Sequence, residues 1–236
     1  MIHVTEKPQP RKVINVKKSM TKSRGSMLPT YKGNILLLIG SVQFIVLSIL
    51  SMSLYVGGYD FWGMAFSGLG AITVDGVSNM TSAILFAISV IVAGVFSFIC
   101  WYGGFKTEGR LSLVTTASML LSVSLIGIGI TPGGIDVAPW GPLSVAHSVF
   151  VVTLLLSSIV VISIYVRSSY SIGGWYDRSM VPLMILLIIT VIYTIVLFYS
   201  TITNDHQGFA VGIVIQKFVI YGLFAFFLAM YAGWIR

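Results

Sequence analysis

The sequence has one cysteine, Cys100, which excludes an intrachain disulfide and a metal site built from thiolates. Charge is equally scarce: 9% of residues are Asp, Glu, Lys or Arg, against 56% hydrophobic residues and a mean hydropathy of +0.96. A soluble domain cannot be coated with so few charges, so composition points to an integral membrane protein. Phosphate loops, dinucleotide fingerprints, kinase signatures, H-E-x-x-H pairs and G-x-S-x-G elbows are all missing. No cofactor and no metal are expected.

What is present is a series of long apolar runs, about 34–56, 80–102, 111–130, 144–166, 180–199 and 209–234. Each is about 20 residues or slightly longer, the length that crosses a bilayer as a helix. Their apolarity is continuous and lacks the alternation of barrel strands, and backbone in lipid must satisfy its own hydrogen bonds, so helices are the spanning elements. The expectation is an all-α polytopic protein with six transmembrane helices in one bundle over residues 33–236.

Residues 1–32 are different. Lys7, Arg11, Lys12, Lys17, Lys18, Lys22, Arg24 and Lys32 face only Glu6, and too few apolar residues accompany them to pack. This is expected to be a disordered or surface-lying basic tail beside anionic headgroups, each charge contributing about 1 kcal/mol of attraction. No nucleic-acid partner is expected. The run that follows is too long for a signal peptide and lacks a small-residue cleavage site, so it is expected to stay as the first helix.

Lysine and arginine then orient the bundle. Lys106, Arg110, Arg167, Arg178 and Arg236 fall on the side of the N-terminus, whereas the connections 57–79, 131–143 and 200–207 contain neither residue. Those three hold Asp60, Asp75, Asp136 and Asp205. Positive residues in short loops stay on the cytoplasmic side, which puts both termini in the cytoplasm and the aspartates outside, with the cell membrane as the expected location.

The polar candidates therefore cluster at the outer end. The connection from Tyr59 to Asn79, "YDFWGMAFSGLGAITVDGVSN", is apolar yet too rich in glycine for a span; it reads as an interfacial cap or as a lining for a pocket. Asn79-Met80-Thr81 is a glycosylation sequon placed against the second helix. Lys217, after Gln216, lies about eight residues into the sixth run, roughly 12 Å along a helix. An ammonium there either snorkels to the surface or faces the bundle and pairs with Asp75 or Asp136. His147 follows Ser144 by one helical turn, and an imidazole beside an aspartate is suited to proton transfer or ligand contact. Ser144, His147 and Asp136 also have the residue types of a hydrolase. Two glycine-rich stretches, "GLGAITVDGVSN" and "GIGITPGGIDVAPWG", each lead through an aspartate into a helix, as pseudo-symmetric sites in transporters do.

"FSGLG", a helix opening at Asn79, and "GITPGG" with His147 downstream resemble a prokaryotic membrane family catalogued as domain of unknown function 998, itself similar to the FRAG, DRAM and SFK-like six-helix proteins. The resemblance covers about Gly33 to the C-terminus and rests on Ser67, Gly68, Leu69, Gly70, Asn79, Thr131, Pro132, Gly133 and His147. Thr131 stands where many members have phenylalanine. The resemblance implies a six-helix fold and supplies no reaction.

Together these features give an outer pocket formed by Asp75, Asn79, Asp136, Ser144, His147, Gln216 and Lys217. The leading expectation is non-enzymatic: binding of a lipid or small amphiphile, or service as an accessory subunit of a membrane assembly. Proton-linked transport through Lys217 is the alternative, and a membrane-embedded hydrolase comes after it. Membrane lipids are the expected partners, with a membrane protein or a second copy as further possibilities.

Overall fold

A computed structural model describes residues 35–108, 112–131, 142–173, 179–203 and 206–232. The basic tail 1–32, Pro132, Gly133 and Asp136 lie outside the described residues. Six helices are long and apolar enough to cross a membrane. They are α1 (Ile35–Ser53), α2 (Met80–Glu108), α3 (Leu113–Ile130), α4 (Pro142–Gly173), α5 (Met180–Thr203) and α6 (His206–Tyr231). Each packs on its neighbours in sequence, and α6 closes the ring on α1. This all-helical architecture is compatible with a multi-pass membrane protein.

The helices outrun the apolar stretches, furthest at two places. α2 continues past Tyr102 to Glu108, and α4 continues past Val166 to Gly173. Hydropathy marks where lipid ends, whereas a helix ends where its backbone is capped, and the polar turn beyond each run stays helical. Pro142 opens α4, where its missing N–H has no helical partner to lose. Ser112 caps α3 by accepting the Thr115 N–H at 3.1 Å. Across the next seam, Ser169 and Ser179 hydroxyls meet at 3.0 Å and tie the end of α4 to the start of α5.

The bundle buries a scatter of small polar residues within its apolar core and is apolar on the outside as well. Along α1, Ile35, Ile39, Val42, Val46 and Ile49 form an exposed stripe at helical spacing, while Ser41, Ser48 and Ser51 are buried. α5 repeats the pattern with Val181, Ile185, Ile188, Ile192 and Ile195 exposed. Water would reverse such a pattern; lipid favours it, because small residues permit close approach and their hydroxyls bond across helices. Ser51 donates to Ser82 O at 2.9 Å, Ser122 to Ser97 Oγ at 2.9 Å, and Gln43 Nε2 to Ser89 O at 2.8 Å. Gly94 lets α2 and α3 approach closely: a Cβ there would lie 2.8 Å from Ser122 O.

α1 closes on α6 through Phe44 and Phe224, whose rings stack at 3.8 Å between centroids. Phe66, delivered by the connection between α1 and α2, packs on Phe44, Phe86 and Tyr221 at 5.9, 5.4 and 5.7 Å. That connection therefore enters the bundle as well as capping it. Its segment Phe66–Gly70 forms a 3-10 turn with Phe66 and Leu69 buried. A two-residue hairpin follows, β1 (Thr73–Val74) and β2 (Val77–Ser78), paired antiparallel. Asp75 and Gly76 make its turn with φ of 50° and 76°, the left-handed pair that an Asp-Gly hairpin requires.

Candidate functional site

The ordered connection is fastened by polar side chains that the sequence placed in a pocket. Asn79, 2% exposed, clasps both ends of it: Oδ1 accepts the Val56 N–H at 3.0 Å and Nδ2 donates to Ala71 O at 2.8 Å. Its middle is held by two consecutive residues of α6. Gln216 Oε1 accepts the Phe66 N–H at 3.0 Å. Lys217 donates to the carbonyl of Met64 at 2.7 Å and to that of Phe61, with its ammonium 5.6 and 4.9 Å from the ring centres of Tyr59 and Phe61.

Lys217 is 1% exposed, so it does not snorkel. Nor does it pair with Asp75, which sits exposed at the hairpin turn; no ion pair to Lys217 occurs among the described residues. The reason is geometric. The chain around Tyr59–Met64 folds against α6 and aims its carbonyls inward, so the ammonium meets backbone dipoles and aromatic faces, and the Asp60 carboxylate acts on it through space without forming an ion pair. Tyr59 shares the acceptor, donating its hydroxyl to Met64 O at 3.1 Å. Burial, helped by Tyr221, Tyr55 and Asp60, pushes the Tyr59 phenol above its ordinary value, so it remains a neutral donor. Tyr55 is pushed the same way, by burial and then by Asp75.

Beneath this lid, α4, α5 and α6 do not fill the bundle. A cavity of about 240 Å³ lies between them, walled by Val151, Val196, Leu197 and Ile213, with Ser67, His147 and Gln216 among its polar residues. A deeper space of about 40 Å³ adjoins it toward Phe44, Leu125 and Phe224, and shares Ser67, His147, Val151, Tyr193 and Gln216. Both volumes exceed what one water needs. Exposed Ser148, Phe198 and Thr201 form the mouth, on the seam between α4 and α5.

His147 is the chemical centre of this wall. It is 9% exposed and anchored to the end of α3, its Nδ1 donating to Thr131 O at 2.7 Å. Thr131 is fixed in turn by donating its hydroxyl to Gly127 O at 2.7 Å. The other ring nitrogen, Nε2, is buried and has no hydrogen-bond partner. His147 is thus not bonded to Ser144, whose carbonyl accepts from Ser148 at 3.0 Å, and the contact that would make a serine a nucleophile is not formed.

The structure therefore brings His147 and Gln216 together on one cavity and puts Lys217 behind the lid next to them. Asp75 and Asn79 belong to the lid itself. Of the glycine-rich motif, Ser67 reaches the cavity, while Gly68 and Gly70 shape the turn that carries it. No cluster of three metal-ligating side chains occurs among the described residues. Sequence reasoning missed Tyr193, Ser200 and Thr201, which line the cavity from α5. Tyr193 lies mid-helix in "LIITVIYTIVLFYS", a hydroxyl-bearing ring away from the interface where tyrosine is usual, and that depth was the available signal. A larger groove of about 670 Å³ runs between α5 and α6 toward the opposite end, but its walls are Leu, Ile, Phe, Ala, Gly and Pro, apart from Ser179, which is already bonded to Ser169. It has the character of a lipid-filled seam. Comparison with known proteins gave no match among family models, curated proteins or solved structures.

Proposed function

We propose that this chain is a non-enzymatic membrane protein that binds a lipid or small amphiphile in the cavity under its lid. The observation that carries the proposal is His147 Nε2, a hydrogen-bonding atom buried without a partner beside a space large enough to be occupied. An unmet buried polar atom costs on the order of 1–3 kcal/mol, and a bound polar head removes that cost. The apolar remainder of the wall suits a hydrocarbon chain, and a mouth on the side of the bundle suits entry from the bilayer.

The lack of lysine and arginine in the three connections at this end supports an orientation with both termini cytoplasmic and the cavity in the outer half of the cell membrane. Kinship with the domain of unknown function 998 family is part of the same proposal. It gives that family's glycine-rich motif and asparagine the work of plugging and clasping a lid. Proton-linked transport and hydrolysis have less support, because Lys217 meets carbonyls and His147 is not bonded to a serine.

Native mass spectrometry of the protein purified in mild detergent tests the proposal. The wild type is expected to retain a bound amphiphile, and Val151→Trp, which fills the cavity, is expected to lose it. A ligand-free wild type, or a variant that retains the same adduct, rules the proposal out.

A further inference from the structure

The polar atoms around the cavity are unevenly divided between donors and acceptors. Thr131 O can only accept, so His147 Nδ1 carries a proton. No carboxylate lines the cavity among the described residues, and an imidazolium there would bury a charge and a second N–H with nothing to receive it. The neutral Nδ1–H tautomer fits, and it leaves an unpaired lone pair on Nε2 of a residue in the cavity wall. Three hydroxyls add to this. Ser148, Ser200 and Thr201 donate to the carbonyls of Ser144, Val196 and Leu197 at 3.0, 2.7 and 2.7 Å, and each is left with lone pairs to offer.

Donors are fewer. Gln216 gives its Oε1 to the lid and keeps its amide N–H groups, and Tyr193 keeps its phenolic O–H. No cation lines the cavity among the described residues, since Lys217 is turned toward Phe61 and Met64.

We infer that the cavity takes the uncharged hydroxyl head of an amphiphile. The hydroxyl donates to His147 Nε2 and accepts from Tyr193 or Gln216, while the chain leaves between α4 and α5 past Val152 and Phe198. This rests on the binding role proposed above and names the chemistry of its ligand. A carboxylate or phosphate brings only lone pairs and a charge, and among the described residues it meets lone pairs with no cation to receive it. An ammonium has no lone pair for Tyr193 or Gln216 and finds no carboxylate among the described residues of the wall. A volume of about 240 Å³ lies below the roughly 300–1,000 Å³ of pockets that enclose a drug-sized ligand, so the head and first few carbons are held and the rest lies in the bilayer.

The test uses the full chain in phosphatidylcholine nanodiscs at pH 8 and a photoreactive diazirine derivative of decanol. Decanol, decanoate and decane compete at equal mole fractions in the bilayer. Saturable labelling of α4 and α5 peptides is expected, with decanol competing about tenfold better than either rival, the effect of one or two net hydrogen bonds. His147→Asn retains a donor for Thr131 and lacks the Nε2 acceptor; it is expected to bring all three competitors within about twofold of one another. Because the primary comparison is made on the wild type, it does not depend on the variant folding. Decanoate or decane matching decanol on the wild type, or a decanol preference that survives in His147→Asn, overturns the hydroxyl assignment while saturable labelling leaves the cavity as a binding site. Labelling that none of the three saturates overturns the binding proposal itself.

Discussion

Replacing Lys217 with methionine separates the stability of the lid from that of the bundle. In the closed lid the ammonium gains two charge-assisted hydrogen bonds, to Met64 O and Phe61 O, and faces two aromatic rings. Such bonds contribute about 1.5–3 kcal/mol each, and the ring contacts about 0.5–2 kcal/mol. Against this stands the dehydration of a buried ammonium, several kcal/mol. A net of about 2 kcal/mol favouring closure is the reasonable balance, equivalent to roughly 30-fold in the opening equilibrium. Methionine keeps most of the side-chain volume and removes both the bonds and the buried charge. Amide exchange across residues 57–66 is therefore expected to accelerate roughly 30-fold at neutral pH, while the helices, which remain folded when the lid opens, lose only about 4–8 °C in thermal unfolding. Hydrogen exchange read by mass spectrometry resolves the two, with peptides from α2 and α3 as internal standards. Exchange in the lid that stays at the wild-type rate while methionine occupies position 217 would refute the fastening role. So would a bundle that melts together with the lid.

Other consequences can be checked with simpler measurements. Asn79→Ala leaves the Val56 N–H and Ala71 C=O without partners, a loss of about 2–4 kcal/mol expected as a lower midpoint in detergent thermal unfolding. Gly94→Leu drives a side chain against Ser122 O and Ile126, and α2 and α3 must separate; a destabilised or unassembled bundle is expected by size-exclusion chromatography. For pH, Tyr59 is an acid whose folded value lies above its ordinary 10.0, so the stability it gives the lid is complete below pH 10 and is lost as pH rises from there toward the folded value. Proteolytic nicking of the lid, corrected for the protease's own pH profile, is expected to rise above pH 10, and Tyr59→Phe is expected to weaken that rise.

The helices were legible in the sequence because lipid imposes a length and a composition that survive without any tertiary information. The lid was legible only as an anomaly, an apolar stretch with too much glycine to span. Its plug, Phe66, looks like any other aromatic residue until the 3-10 turn carries it inward. Asp75 shows how a charge can mislead. Pairing it with a buried lysine satisfies both, yet Val74-Asp75-Gly76-Val77 is also a hairpin signal, and the local requirement for positive φ decided its place. The partners of Lys217 had no signature at all, since every residue owns a carbonyl and only the fold selects which ones converge. His147 was legible as a candidate, but its use was not: the free nitrogen depends on Thr131 taking the other one at the end of a different helix.

Lid and cavity share a joint. Gln216 holds the Phe66 N–H from one side and lines the cavity from the other, and Ser67, the next residue of the lid, lines it too. Lys217 fastens the same lid one residue further along α6. A ligand that takes up the Gln216 amide therefore bears on the lid's closure, and a loosened lid bears on the ligand, as reciprocity between coupled equilibria demands. One consequence concerns how a Lys217 variant is interpreted. Loss of uptake in Lys217→Ala does not by itself mark the lysine as a proton carrier, because an unfastened lid disturbs the cavity by geometry alone. The two causes part when a second fastening replaces the first. Cys100 is buried far along α2 and leaves engineered thiols free to react, so a reducible bis-methanethiosulfonate linker of about the lysine's length, joining Phe61→Cys to Lys217→Cys, restores the lid without restoring the charge. Ligand retention that returns on cross-linking, and fades on reduction, assigns the lysine to closure; retention that stays lost with the lid locked assigns it to the ammonium itself.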